Sequence, residues 1–162
     1  MDFPCDRHVD SPDAAYFRGV DVQAPSAVVF RWLCQLRVAP YSYDWIDNFG
    51  RPSPRRLTPG LERLAVGQRV MTGFELVEYE VNRHLTLRAR PSFGRVFGVD
   101  GLAVSYVVLP GSTAGCRLLV KLLVRHAPGL VGSMASWLLP WGDLVMMRKQ
   151  LLTLKQLAEE QA

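Results

Sequence analysis

The spacing of hydrophobic and polar positions changes several times along the chain, and each change marks an element. From Ala14 to Gln23 the pattern alternates. Tyr16, Arg18, Val20 and Val22 fall on one face and Phe17, Gly19 and Asp21 on the other, which predicts a strand. Ala24-Pro25-Ser26 then opens a helix, because the missing N–H of proline costs nothing in a first turn. Its apolar positions, Val28, Val29, Trp32, Leu33 and Leu36, recur at helical spacing until Pro40 ends the run. Tyr41 to Asn48 predicts a short second helix, with Ser42 or Asp44 available as its cap. Pro52, Pro54 and Pro59, with Gly50 and Gly60, make residues 49–60 a loop.

Beyond the short segment Leu61 to Ala65, period-two patterning returns. Arg69 to Glu80 predicts a strand, and Asn82-Arg83 a tight hairpin into His84 to Arg90. In that second strand Leu85, Leu87 and Ala89 alternate with Thr86, Arg88 and Arg90, so one face is expected to be wet. Leu102 to Leu109 is the next strand, and residues 110–115 turn it into Cys116 to Arg125. There Cys116, Leu118, Val120, Leu122 and Val124 face inward, while Arg117, Lys121 and Arg125 face outward. From Leu130 the chain reads as helix, with Leu144, Met147, Leu151, Leu154 and Ala158 as its apolar stripe. Pro140 and Gly142 predict a break or bend between Leu139 and Asp143. The whole is an α+β pattern: an antiparallel sheet of six or seven strands whose apolar face only the last helix is large enough to cover. Residues 1–13 predict a loose arm, and 14–162 one domain.

Composition narrows the class. The chain has 162 residues, 49% hydrophobic and 21% charged, which is ordinary for a globular domain. Its net charge of +4 is scattered rather than gathered into a stripe, so nucleic acid is not an expected partner. No run approaches the roughly 20 apolar residues of a membrane span, and the N-terminus lacks a signal-like apolar stretch, which predicts a cytoplasmic protein. Cys5, Cys34 and Cys116 are too few and too widely spaced for a disulfide framework or a metal site; Cys34 and Cys116 read as small buried residues. No glycine-rich phosphate loop, His-Glu-x-x-His, Gly-x-Ser-x-Gly or Cys-x-x-Cys occurs, so no cofactor is expected.

The run Val20-Asp21-Val22-Gln23-Ala24-Pro25-Ser26-Ala27-Val28-Val29-Phe30-Arg31-Trp32-Leu33 resembles the opening of the helix-grip superfamily. That group, often pooled as SRPBCC, includes START-like lipid-transfer proteins and polyketide cyclase/dehydrase proteins. Val66-Gly67-Gln68-Arg69-Val70 and Met146 to Lys155 look like its third-strand entry and its final helix. The resemblance implies a seven-stranded sheet gripping the C-terminal helix around an internal hydrophobic cavity. It specifies the fold well and the chemistry poorly, because ligands in the group vary widely.

Within that frame the candidate chemistry lies at Tyr41, Tyr43 and Asp44, with His126 deeper in. A phenol can donate to a bound carbonyl, and a carboxylate or imidazole can take a proton. The alternative is that the Tyr41-to-Asn48 segment organises the loop containing Arg55 and Arg56. Glu78 or Glu80 either reaches inward or pairs with Arg88 or Arg90; His84 reads as solvent-exposed. Trp32, Phe74, Leu87, Tyr106, Leu122, Met134, Trp137 and Trp141 are the candidate wall of an apolar cavity. The expected partner is thus a small apolar or aromatic molecule (lipid, isoprenoid or polyketide-like), held by a monomer or weak homodimer. An acid/base enzyme of cyclase, aromatase or dehydratase type is the alternative, and a partner-binding module without a cavity the second.

Overall fold

A computed structural model describes residues 2–111 and 115–162, and for Val131, Ala135, Leu138, Leu139 and Asp143 the backbone alone. Six strands form one antiparallel sheet in the order β1-β6-β5-β4-β3-β2. They are β1 (Ala14–Val22), β2 (Arg69–Val70), β3 (Phe74–Glu80), β4 (His84–Ala89), β5 (Val99–Pro110) and β6 (Cys116–His126). Helix α1 (Ser26–Cys34) and the single turn α2 (Asp44–Asp47) follow β1; α3 (Pro91–Val96) joins β4 to β5; α4 (Leu130–Glu159) closes the chain. The strand between α2 and β2 that the resemblance implied is absent: residues 61–68 are turns and loop.

Period-two alternation fixed the register of the long strands. β5 and β6 pair from Val99↔His126 to Pro110↔Cys116, with Leu122 opposite Val104 and Val120 opposite Tyr106. Those residues, with Leu76, Leu85 and Leu87, form the inner face, on which Trp32, Leu33 and Leu36 and the Leu151, Leu154, Leu157 and Ala158 stripe of α4 pack. Burying such side chains, at about 25 cal/mol per Å² of apolar surface, is what holds helix and sheet together. Leu144, expected in that stripe, lies outside it and is exposed.

Four expectations are corrected. First, the arm is packed, not loose. A 3-10 turn at Pro4–Arg7 puts Phe3, Cys5 and Val9 in a second apolar cluster on the outer face with Ala103, Val107 and Leu123. Cys5 donates its backbone N–H to Ser105 Oγ at 2.8 Å, and Thr86 Oγ1 and Ser105 Oγ share a 2.8 Å hydrogen bond. Thr86, on the face expected to be wet, is fully buried there. Second, the Arg69–Glu80 strand is two strands separated by the turn at residues 71–73. Third, an irregularity in the β3–β4 register between Leu76 and Glu78 resets the alternation. Glu75, not Glu78 or Glu80, therefore pairs with Arg88, at 2.7 Å, while Glu78 meets Arg7, His8 and His84. That places His84 mostly out of solvent. Fourth, of the break or bend expected between Leu139 and Asp143 the break does not occur: α4 is continuous helix through Pro140. One lost backbone donor costs a helix about 3 kcal/mol, which a helix of 30 residues anchored at its far end can absorb.

Candidate functional site

The inner face is sealed at one end and loosened at the other. Beneath the C-terminal half of α4, Leu118, Val120, Tyr106 and Leu154 are at most 1% exposed. Toward the end where β5 begins and β6 finishes the seal is slightly less complete: exposure is 7% at Leu102, which also borders a cleft on the outer face, and 9% at Leu122, against 3% at Val99 and 1% at Val124. Phe74, Ala89 and Met147 are half-buried. The rings of Phe74, Phe93 and Phe97 extend that edge, with centroids 5.3 and 4.4 Å apart in succession. The N-terminal half of α4 follows β6 at this end, and its described side chains from Leu130 to Val145 are exposed except at Gly132 and Pro140. The loosened end is the candidate binding site.

At the boundary between the two ends lies a polar constellation. Gln150, buried on α4, accepts from the Tyr106 hydroxyl at 2.7 Å and donates Nε2–H to the Pro40 carbonyl at 2.6 Å. That pins the following residue, Tyr41, beside the helix in a left-handed backbone conformation, φ 57°, unusual for a bulky residue. Its ring meets Trp32 edge-on with centroids 5.9 Å apart. Both polar atoms of the pair, Tyr41 Oη and Trp32 Nε1, are buried and have no hydrogen-bond partner. A buried donor left unpaired costs about 1–3 kcal/mol, so among the described residues these two donors on neighbouring rings are an unmet hydrogen-bonding demand within the core. Burial, and then the nearby Asp44 charge, push the Tyr41 phenol up to about 12, so at neutral pH it is a donor and not a base.

The neighbouring carboxylates divide in function. Asp44 is tied to Ser53, accepting its backbone N–H at 2.8 Å and its hydroxyl, and it forms no ion pair with Arg55 or Arg56. Arg55 instead reaches Glu160 at 3.7 Å. Asp47 accepts from the Ser42 hydroxyl, leaving its other oxygen buried and unpartnered; burial raises its pKa. Neither Ser42 nor Asp44 caps α2, whose N-cap is Tyr43.

The predicted site residues therefore separate. Tyr41 is inside. Tyr43 is half-buried at the head of α2, and Asp44 belongs to loop structure. His126 ends β6, opposite Val99, and no contact among the described residues joins it to the other three. Trp32, Leu87 and Tyr106 are 0–1% exposed, so no water-sized space adjoins them and they line no open cavity. Phe74 and Leu122 do face the loosened end. Met134, Trp137 and Trp141 point to solvent, and the Leu138 side chain lies outside the described residues. Sequence reasoning missed Gln150, although an amide amid the Leu151 and Leu154 stripe was a signal; Asp47 was visible as the second carboxylate of the Tyr41-to-Asn48 segment, but Asp44 was chosen over it.

A half-open cleft of about 400 Å³ lies elsewhere, on the outer face, between the N-terminal arm and the β4–α3–β5 corner. His8, Glu75, Arg88, Arg90, Asp100 and Arg125 line it, and none of the predicted site residues does. Among the described residues, no group of His, Cys, Asp and Glu is placed to hold a metal ion, and no helix is long and apolar enough to cross a membrane.

This arrangement has solved counterparts. A protein of Mesorhizobium loti superposes with a TM-score of 0.53 at 16% identity, over 92% of this chain and 99% of that one. The chain has the helix-grip fold. The di-domain ARO/CYC protein StfQ of the steffimycin biosynthetic pathway matches at a TM-score of 0.53 and 14% identity, over 91% of this chain and 51% of its own. A norcoclaurine synthase point mutant from Thalictrum, in complex with a transition-state analogue, matches at 0.53 and 12%, over 91% and 95%. No family model and no curated protein matches the sequence. At such identities the helix-grip likeness speaks for the fold alone.

Proposed function

We propose that this helix-grip protein binds one small apolar or aromatic molecule at the loosened end of its core, where β6 leads into the N-terminal half of α4. The Tyr41 hydroxyl and Trp32 indole N–H serve as its polar anchors; both are closed off in the ligand-free protein, at 1% and 0% exposed, so binding requires the packing around them to open. The observation that carries this reading is that pair of adjacent buried donors without partners. Two fixed donors beside an apolar wall suit a ligand with one carbonyl, carboxylate or hydroxyl and an otherwise apolar body. Affinity would come mainly from apolar area removed from water, at about 25 cal/mol per Å² before the costs of association. The fold is shared with an ARO/CYC protein of a biosynthetic pathway and with a norcoclaurine synthase that holds a transition-state analogue, which agrees with a small-molecule ligand and does not specify it.

The test uses cis-parinaric acid, a fluorescent probe with one carboxylate, together with native mass spectrometry of the purified protein. Saturable one-to-one binding is expected, weakened about fivefold to tenfold by Tyr41→Phe, which deletes one hydrogen bond and keeps the ring. No saturable binding and no co-purifying small molecule would overturn the reading. Acid/base catalysis is the second reading, favoured by Asp47, whose raised pKa and free oxygen make it the carboxyl suited to donate a proton. Turnover of a polyketone probe that Asp47→Asn abolishes would establish it.

A further inference from the structure

The N-terminal half of α4 is built unlike the rest of the helix. Leu130, Met134, Trp137, Trp141, Leu144 and Val145 recur at steps of three and four, within an arc of about 100° at 3.6 residues per turn. All six are exposed, Leu130 at 85%, Trp137 at 71% and Trp141 at 65%. The buried set of the same helix, Leu151, Leu154, Leu157 and Ala158, is centred about 120° away around the axis. A stripe offset from the face that packs on the sheet cannot be covered by rotating the helix without exposing the core. Val96 and Phe97 at the end of α3 are also exposed, and the chain there is tied to the root of α4 by the Ala127 N–H to Gly98 carbonyl bond, 2.9 Å. An exposed apolar stripe of six residues on one helix face marks an interaction surface, and Val96 and Phe97 add exposed apolar side chains near its root.

The charge around it selects the partner. Arg148 continues the stripe one step beyond Val145, with Lys149 beside it, and Arg90 and Arg95 flank α3. None of the four makes an ion pair among the described residues; Arg95 donates only to the Pro91 carbonyl. Asp100 is the acid on the α3 side, and Asp143 is the only acidic residue from Leu130 to Ala158. Tryptophan prefers the headgroup boundary of a bilayer, and a helix with an apolar face and flanking cations lies in that plane. A second copy of the chain fits less well: it would bring the same cations together, with no glutamates beside the stripe to pair them.

We propose that the N-terminal half of α4, with the tip of α3, docks on the surface of an anionic lipid bilayer, inserting Trp137 and Trp141 without crossing it. This surface is separate from the buried Tyr41 and Trp32 donors and does not depend on them. The test is co-sedimentation and tryptophan fluorescence of the full chain with phosphatidylcholine vesicles, with and without phosphatidylserine. Binding with a blue-shifted emission is expected on the anionic vesicles and little on the neutral ones. The paired change Trp137→Ser and Trp141→Ser should weaken it at least about tenfold. Arg148→Glu and Lys149→Glu should each weaken it about fivefold on anionic vesicles only. Phe17→Ser, at an exposed aromatic on β1, should leave it unchanged. Circular dichroism confirms that each variant folds. No binding at low salt, binding indifferent to the tryptophan pair, or a dimer in sedimentation equilibrium that the same pair dissolves would each overturn the proposal.

Discussion

The two halves of α4 obey the same helical periodicity and serve different purposes. The C-terminal half places Leu151, Leu154, Leu157 and Ala158 against the sheet and ties itself to β1, where Lys155 donates to the Asp21 carbonyl at 2.6 Å and Glu159 accepts the Gln23 N–H at 2.7 Å. The N-terminal half buries little, and the inner face is loosened at the end where it begins. What separates them is the phase of the apolar residues, not their number: the stripe shifts around the axis between Val145 and Met147. A helix that shifts its apolar face holds the fold at one end and offers a surface at the other. The comparison teaches that stability and binding can be assigned to different turns of one element.

The largest expected contrast comes from truncating one residue in each half. Leu154→Ala should cost about 2–5 kcal/mol in urea unfolding, the usual range for emptying a packed leucine site. Trp137→Ala should stay within about 0.5 kcal/mol, as for other exposed positions. Equal losses would erase the distinction. Next is the clasp at the boundary: Tyr106→Phe leaves the Gln150 carbonyl oxygen buried without its donor and should cost about 1–3 kcal/mol. Tyr41→Phe should act in the opposite sense, raising the stability of the ligand-free protein by about 1 kcal/mol because it removes a buried hydroxyl with no partner. A stabilised variant that binds less well is the signature of a group held for a ligand.

The smallest effect is a pH dependence. Burial raises the Asp47 pKa, so the folded state keeps that proton at pH values where the unfolded chain has lost it. Its contribution to stability is therefore present below the ordinary carboxylate value of 3.8 and declines as pH rises through the raised one. Asp47→Asn should remove that decline from a stability-versus-pH curve. An unchanged curve would show that Asp47 titrates as an ordinary surface acid.

The sheet was legible because β5 and β6 are long runs of strand-forming residues joined by a turn, and in β6 the alternation of Cys116, Leu118, Val120, Leu122 and Val124 with Arg117, Lys121 and Arg125 showed the inward face. α3 was missed although Pro91, after an extended Arg90, is a first-turn signal; six residues are too few to show a period. The burial of Thr86 and Ser105 could not be read at all, since it depends on Cys5, about 80 and 100 positions away in the chain. For the site, Tyr41 and the apolar residues of β3 and β6 were found. The outward stripe of α4 was visible in the spacing of Met134, Trp137 and Trp141, but a cavity-facing role was assigned where phase indicated an opposite one. Trp32, Leu87 and Tyr106 have the right chemistry for a cavity wall; only packing reveals that the space around them is filled.

The most direct test of the account is amide hydrogen exchange along α4, measured with and without saturating cis-parinaric acid. In the free protein, residues 150–158 should exchange only on global unfolding, and residues 130–145 orders of magnitude faster. The probe should slow the N-terminal half and the Tyr41 loop while leaving the C-terminal half unchanged. Uniform strong protection of the whole helix in the free protein, or probe-induced protection confined to residues 150–158, would contradict it.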